Sequence, residues 1–132
     1  MTGPVRLERQ ILAAIQECAR VLEPGGRLCL AIVHPLASGG NFDSLEPDSP
    51  YVITGSYLQT FRYRDVIERD GLTVTFESEH RPVGWYCDAL AGAGFLIERL
   101  REVVAPDHAV TAPRHLRWQR LPLFLHIRAL RP

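Results

Sequence analysis

With 132 residues, 46% of them hydrophobic and 23% charged, the sequence has the length and composition of a single globular domain. Its fifteen basic residues offset fifteen acidic ones, so no global field draws it towards nucleic acid or anionic lipid. No apolar run approaches the roughly 20 residues that span a bilayer. The three cysteines, Cys18, Cys29 and Cys87, contain no C-x-x-C pair, and their odd count argues for buried thiols in a reducing bacterial cytoplasm. The N-terminus lacks the basic-then-apolar pattern of a secretory signal. All fifteen basic residues are arginine, which reads as the codon bias of a GC-rich genome.

In chain order, Pro4 can sit in a first helical turn, where a missing N–H costs nothing. Ile11, Leu12, Ile15, Cys18, Ala19 and Leu22 follow at helical spacing with polar residues between them, which predicts an amphipathic helix. Pro24-Gly25-Gly26 stops it. Leu28 to Val33, "LCLAIV", is apolar throughout without alternation, the pattern of a strand covered on both faces as in a parallel sheet. Residues 35–56 are rich in Pro, Gly, Ser, Asp and Asn and predict a long irregular connection. "SYLQTFRYRDVIE" and "LTVTFESE" then flank Asp70-Gly71, a hairpin signal, with Leu72, Val74 and Phe76 sharing one face. Pro82 introduces a helix over about 83–93 that Gly94 stops. "FLIERL" is a strand, residues 105–120 are a polar loop, and "LPLFLHIRAL" is a final strand. The last two strands have no helix between them, so they are expected to be antiparallel neighbours. The fold class is therefore α/β.

The stretches "ARVLEPGGRLCLAIVHP", "HRPVGWYCDALAGAGFLIERLREV" and "RLPLFLHIRALRP" resemble, in this order, the approach to the fifth strand, the next helix with the sixth strand, and the seventh strand of class I S-adenosylmethionine-dependent methyltransferases. The resemblance covers essentially the whole chain and is closest to the small-molecule, Rossmann-like type. It implies the last three strands of that sheet, with the final strand inserted antiparallel between the other two, flanking helices and an inserted hairpin. Residues 1–132 would form one domain, the C-terminal half of the fold, and residues 35–82 a substrate-side insertion or lid. It also implies S-adenosylmethionine as cofactor and a small-molecule methyl acceptor. The family's cofactor-binding Gly-rich turn after a first strand has no counterpart here. "AGAGF" at 91–95 lies between a helix and a strand, the reverse of the order that aims helix N–H groups at a ligand. No cofactor-binding residue is assigned. The resemblance thus implies either a complementing N-terminal half or, as the alternative, a non-catalytic protein that kept the half fold for dimerisation or partner binding.

His34 ends the first strand, where open α/β sheets place ligands, so it is the candidate catalytic residue, able to orient an acceptor hydroxyl or take its proton. The competing reading is a strand-end histidine bonded to backbone. His80 and Arg81 are candidate substrate residues, Arg81 as a clamp for a carboxylate or phosphate; Arg81 could instead pair with Glu79 or Asp88. Tyr57 and Trp85, with Tyr51, Phe61, Tyr63 and Tyr86, could wall an acceptor pocket or form the excursion's own small core. "RHLRWQR" (114–120) interleaves arginine with tryptophan but has no second basic stretch, which favours a solvated loop over RNA binding. The five histidines show no ligand spacing, so no metal site is expected. An unpaired edge on the strand 28–33 predicts self-association, with a homodimer as one form.

Overall fold

A computed structural model describes the backbone of residues 4–132 and side chains from Arg9 onward; residues 1–3 lie outside it, and with them part of the N-terminal signal reading. The elements are α1 (Pro4–Val21), β1 (Arg27–Val33), α2 (Pro35–Ser38), β2 (Asn41–Phe42), β3 (Tyr51–Val52), β4 (Phe61–Arg69), β5 (Leu72–His80), α3 (Val83–Gly92), β6 (Leu96–Val103) and β7 (Phe124–Leu130). Two 3₁₀ turns, Asp107–Ala109 and Pro113–Gln119, lie between β6 and β7. No described helix is long and apolar enough to cross a membrane.

The main sheet has the order β1-β7-β6, and β7 is antiparallel to both neighbours. β1 and β6 are therefore parallel to one another, and both deliver their C-terminal ends to the same edge of the sheet. Each is preceded by a helix that packs back on the sheet. The turns that allow this are chemically specified. Gly25 adopts φ +87°, and its N–H bonds the Arg131 carbonyl at 2.7 Å, while the Arg131 N–H returns to the Gly26 carbonyl at 2.9 Å. Gly94 adopts φ +90°, and the Phe95 N–H reaches back to the Leu90 carbonyl at 3.0 Å, the six-to-one bond of a glycine-terminated helix.

The core lies on one face only. Ile15 from α1, Tyr86, Ala89 and Leu90 from α3, and Leu125, Ile127 and Ala129 from β7 are buried, together with Phe95. Leu28, Leu30 and Ile32 of β1 pack against this cluster. Each leucine, isoleucine or phenylalanine side chain fully withdrawn from water contributes about 1.5–3 kcal/mol, and the alanines less. The expectation that β1 is covered on both faces is corrected: its residues alternate between exposed and half-buried, with Cys29, Ala31 and Val33 open on the far side. An apolar run identifies a strand suited to two covers, but both described helices that pack on the sheet lie on the same face.

The excursion is more ordered than its composition suggests. Residues 35–56 contain α2 and the short β2–β3 ladder rather than a wholly irregular loop. The segment 114–120, expected to be solvated, instead clamps this excursion. Trp118 meets Phe42 edge-on at 5.0 Å, and the Arg117 and Arg120 guanidinium groups lie over the Phe42 ring. Arg117 also donates to the Ser44 carbonyl, and Arg120 to those of Pro47 and Ser49. The hairpin β4–β5 starts at Phe61 rather than near Tyr57, and turns at Asp70 (φ 54°) and Gly71 (φ 77°), two positive φ values that suit the right-handed strand twist.

Candidate functional site at the end of the parallel strands

β1 ends at His34, on the sheet edge where open α/β folds collect ligands. The His34 backbone is extended and its ring caps α2, with Nδ1 accepting the Leu36 N–H at 3.0 Å. The other ring nitrogen lies 2.8 Å from a carboxylate oxygen of Glu102, next to last in β6. An accepting Nδ1 places the proton of the neutral ring on Nε2, so the imidazole donates to Glu102. His34 is buried, whereas the Glu102 side chain is 65% exposed. The two parallel strands thus end in a linked pair whose open member is the carboxylate. The backbone-bonded reading of His34 describes its Nδ1, while its Nε2 is taken by Glu102.

The four candidate substrate residues are brought together at the root of the hairpin. His80 is fully buried; its Nε2 donates to the Tyr57 carbonyl at 2.7 Å, and its Nδ1 receives the Ser38 hydroxyl at 2.6 Å. Phe61 stacks on the imidazole at 4.7 Å and Tyr57 meets it edge-on. The Tyr57 hydroxyl accepts the Val83 N–H at 3.1 Å, satisfying one of the free donors at the start of α3. Arg81 is buried, pairs with Glu79 rather than Asp88, and lies 4.8 Å from the Trp85 ring. Glu79 also accepts from Arg62 at 3.2 Å, so one buried carboxylate bridges two guanidinium groups. The Arg81 Nε has no hydrogen-bond partner among the described residues.

Beside this cluster is an open cleft of about 620 Å³, lined by Ile11 of α1 and by Arg62, Tyr63, Arg64, Glu77, Ser78, Glu79 and Arg81. That volume suits a small molecule. Arg64 and Glu77 pair at 2.6 Å across the hairpin on its wall. Burial raises the Tyr63 pKa above its ordinary value, the Ser78 hydrogen bond opposes this, and the charges of Asp65 and Tyr86 add to the rise. Tyr63 therefore presents a neutral hydroxyl at physiological pH.

Sequence reasoning did not find Glu102, Ser38 or Arg62. Glu102 lies 68 positions from His34, and only the insertion of β7 between β1 and β6 brings them together. Arg62 had a readable signal, since the Asp70-Gly71 turn fixes the register that sets it opposite Glu79.

The described residues do not by themselves fit S-adenosylmethionine. The Gly25-Gly26, Gly39-Gly40 and Gly94 turns all follow helices. The N-terminus of α2 spends its Leu36 N–H on His34, and that of α3 spends its Val83 N–H on Tyr57. Among the described residues, no glycine turn leads from a strand into a helix with its donors free, the arrangement that cradles such a ligand.

No family model matches the sequence, and no curated protein matches it. Solved structures do. An S-adenosylmethionine-dependent methyltransferase from Mesorhizobium loti is similar with a TM-score of 0.61 and 24% identity, over 92% of this chain and 55% of its own. A protein from Listeria monocytogenes assigned to the same class gives a TM-score of 0.63 and 20% identity over the same shares. The chain thus spans about 55% of the length of these neighbours. Together with the β1-β7-β6 order, this likeness shows the fold: an α/β, Rossmann-like sheet similar to about half of these neighbours.

Proposed function

We propose that this chain is the acceptor-side half of an S-adenosylmethionine-dependent methyltransferase acting on a small molecule that bears an anionic group. The observation that carries the reading is the antiparallel β7 inserted between two parallel strands, in a chain that is similar over 92% of its length to the methyltransferase neighbours. The cofactor is held by polypeptide beyond the described residues, because none of the turns here suits it. The segment 35–82 forms the acceptor side, with the cleft beneath the hairpin as the binding volume.

In this reading Arg62 and Arg64 meet the acceptor's carboxylate or phosphate at the cleft wall. Buried Arg81 holds Glu79 and Trp85 in place behind them. His80 and Tyr57 fix α2 and the start of α3 rather than contacting the acceptor directly. An O–H or N–H acceptor sheds a proton as it is alkylated. Both nitrogens of His34 are engaged, so the open carboxylate of Glu102 is the proton-accepting atom and His34 is its positioning residue.

Two titrations test the acceptor half. In ¹⁵N spectra, 4-hydroxybenzoate or glycerol 3-phosphate is expected to shift the amides of residues 62–64 and 77–81, and calorimetry is expected to show no S-adenosylmethionine binding to the folded chain up to millimolar concentration. Micromolar cofactor binding would overturn the division of labour, and silent hairpin amides would remove the acceptor site. In the native assembly, Glu102→Gln is expected to lower labelled-methyl transfer at least tenfold. Unchanged transfer would dismiss Glu102 as the proton acceptor.

A further inference from the structure

The two faces of the β4–β5 hairpin differ in what they leave unsatisfied. Directly opposite residues share a face, so Arg62/Glu79, Arg64/Glu77, Val66/Thr75 and Glu68/Thr73 lie on one side. That side is closed by its own pairs: Arg62 with Glu79 at 3.2 Å, Arg64 with Glu77 at 2.6 Å and Thr73 with Glu68 at 3.3 Å. The other side carries Asp65/Phe76, Ile67/Val74 and Arg69/Leu72, beyond the half-buried Tyr63/Ser78 pair at the root. Its four apolar side chains, Ile67, Leu72, Val74 and Phe76, run from 45% exposed at Val74 to 69% at Leu72. Asp65 and Arg69 have no ion pair among the described residues.

A two-stranded hairpin is marginal in water unless something packs on its apolar face. The chemistry of this face says what fits it. A free anion would leave the apolar side chains in water, and Asp65 repels an anionic acceptor or an anionic lipid surface. On β4, Ile67 stands midway between Asp65 and Arg69, two positions or about 6.6 Å from each. The face therefore has opposite charges at equal distances on either side of an apolar centre. A half turn about that centre exchanges the charges, which makes the face complementary to itself, the condition for a two-fold interface.

We propose that this face docks a second copy of the chain, hairpin on hairpin, about a two-fold axis that lies between the two hairpins and crosses them from Ile67 to Val74. β4 then runs over the partner's β4 in the reverse direction. Asp65 faces the partner's Arg69 and Arg69 the partner's Asp65, Phe76 meets the partner's Leu72, and Ile67 and Val74 meet their own copies. Stacked sheets are about 10 Å apart, a gap that an extended arginine and an aspartate close between them. The apolar centre supplies the affinity, and the rim charges fix the register. With six residues a side the interface belongs to the small, weak class, and its dissociation constant is expected to be micromolar or weaker. The surface is independent of the acceptor cleft, of the methyltransferase reading and of the edge of β1.

The test is a concentration series of the full chain, from micromolar to millimolar, read in ¹⁵N spectra. The amides of residues 65–69 and 72–76 are expected to shift with concentration, and Val33→Lys, which acts at the sheet edge, to leave those shifts in place. Asp65→Arg and Arg69→Asp each set like charges face to face and are expected to weaken the association severalfold. D65R/R69D re-forms both pairs with the signs exchanged and is expected to restore it, as is mixing the two single variants. If a charge variant loses its dispersed spectrum, Ile67→Thr, which keeps a strand-forming residue at the axis and removes apolar surface, is expected to weaken the association in its place. Hairpin amides indifferent to concentration, a double variant and a mixture that both fail to restore the shifts, loss of the shifts in Val33→Lys, or larger shifts with phosphatidylglycerol vesicles than with more protein would each overturn the proposal.

Discussion

Gly39 shows how closely the residues around α2 are fitted. A Cβ there would lie 2.9 Å from the Pro35 carbonyl oxygen and 3.4 Å from both the His80 and Tyr57 rings. Gly39→Ala is expected to cost about 1–3 kcal/mol as the backbone and His80 are pushed apart, read as a lowered urea midpoint; an unchanged midpoint would mean that α2 yields freely. Tyr51 and Tyr63 both have pKa values raised by burial. As pH climbs past the ordinary tyrosine value near 10, the unfolded chain gives up these protons before the folded one. Their contribution is fully present below that value and is lost as pH rises towards the folded pKa values. Thermal midpoints between pH 9 and 11 are expected to fall, and less steeply in Tyr63→Phe. The candidate site was legible at this scale in the placement of His34, His80 and Arg81, whose positions at strand ends and before Pro82 mark them in the sequence. Their partners were legible only where a tight turn set the register. His34 and Glu102 meet through topology, which no local pattern encodes.

Among the elements, the hairpin and α3 were readable because each has a chemical terminator, Asp70-Gly71 and Gly94. The one-sided burial of β1 was not readable, since an apolar run states what a strand tolerates and not what lies on it. The clamp on the excursion was missed for a related reason: Arg117, Trp118 and Arg120 hold Phe42 and backbone carbonyls more than 70 positions away, and an Arg-Trp mixture says nothing about that target. Trp118→Ala is expected to cost about 2 kcal/mol and to speed proteolysis within residues 41–52, with cleavage after β5 unaffected. Equal protease resistance in the variant would show that the β2–β3 ladder holds itself. Beyond its base the hairpin stands apart, with Ile67, Leu72, Val74 and Phe76 exposed on one face, so its outer half is the element most dependent on an acceptor or partner for order.

For the molecule as a whole, β1 and β6 are both edges of a three-stranded sheet, and β1 is an apolar one with no charged side chain between Arg27 and His34. Such an edge pairs readily with another strand. We propose that the isolated chain self-associates through β1, with a homodimer as the smallest form, unless the complementing half supplies the neighbouring strand. Light scattering at micromolar concentration is expected to report species larger than a monomer, and Val33→Lys, which places a charge on the edge, to shift them downwards. A monodisperse monomer of the unaltered chain would count against edge pairing.

The inserted β7 carries a consequence in time. Both strands that flank it precede it in the sequence, and its residues pair with β1 partners about a hundred positions away, the kind of distant contact that slows folding. While the chain is being made, β1 and β6 stand ready with nothing between them, and the helices have only half a surface to settle on. The keystone of the sheet is laid after the walls, so an emerging chain must hold its apolar strands apart until residues 124–130 arrive.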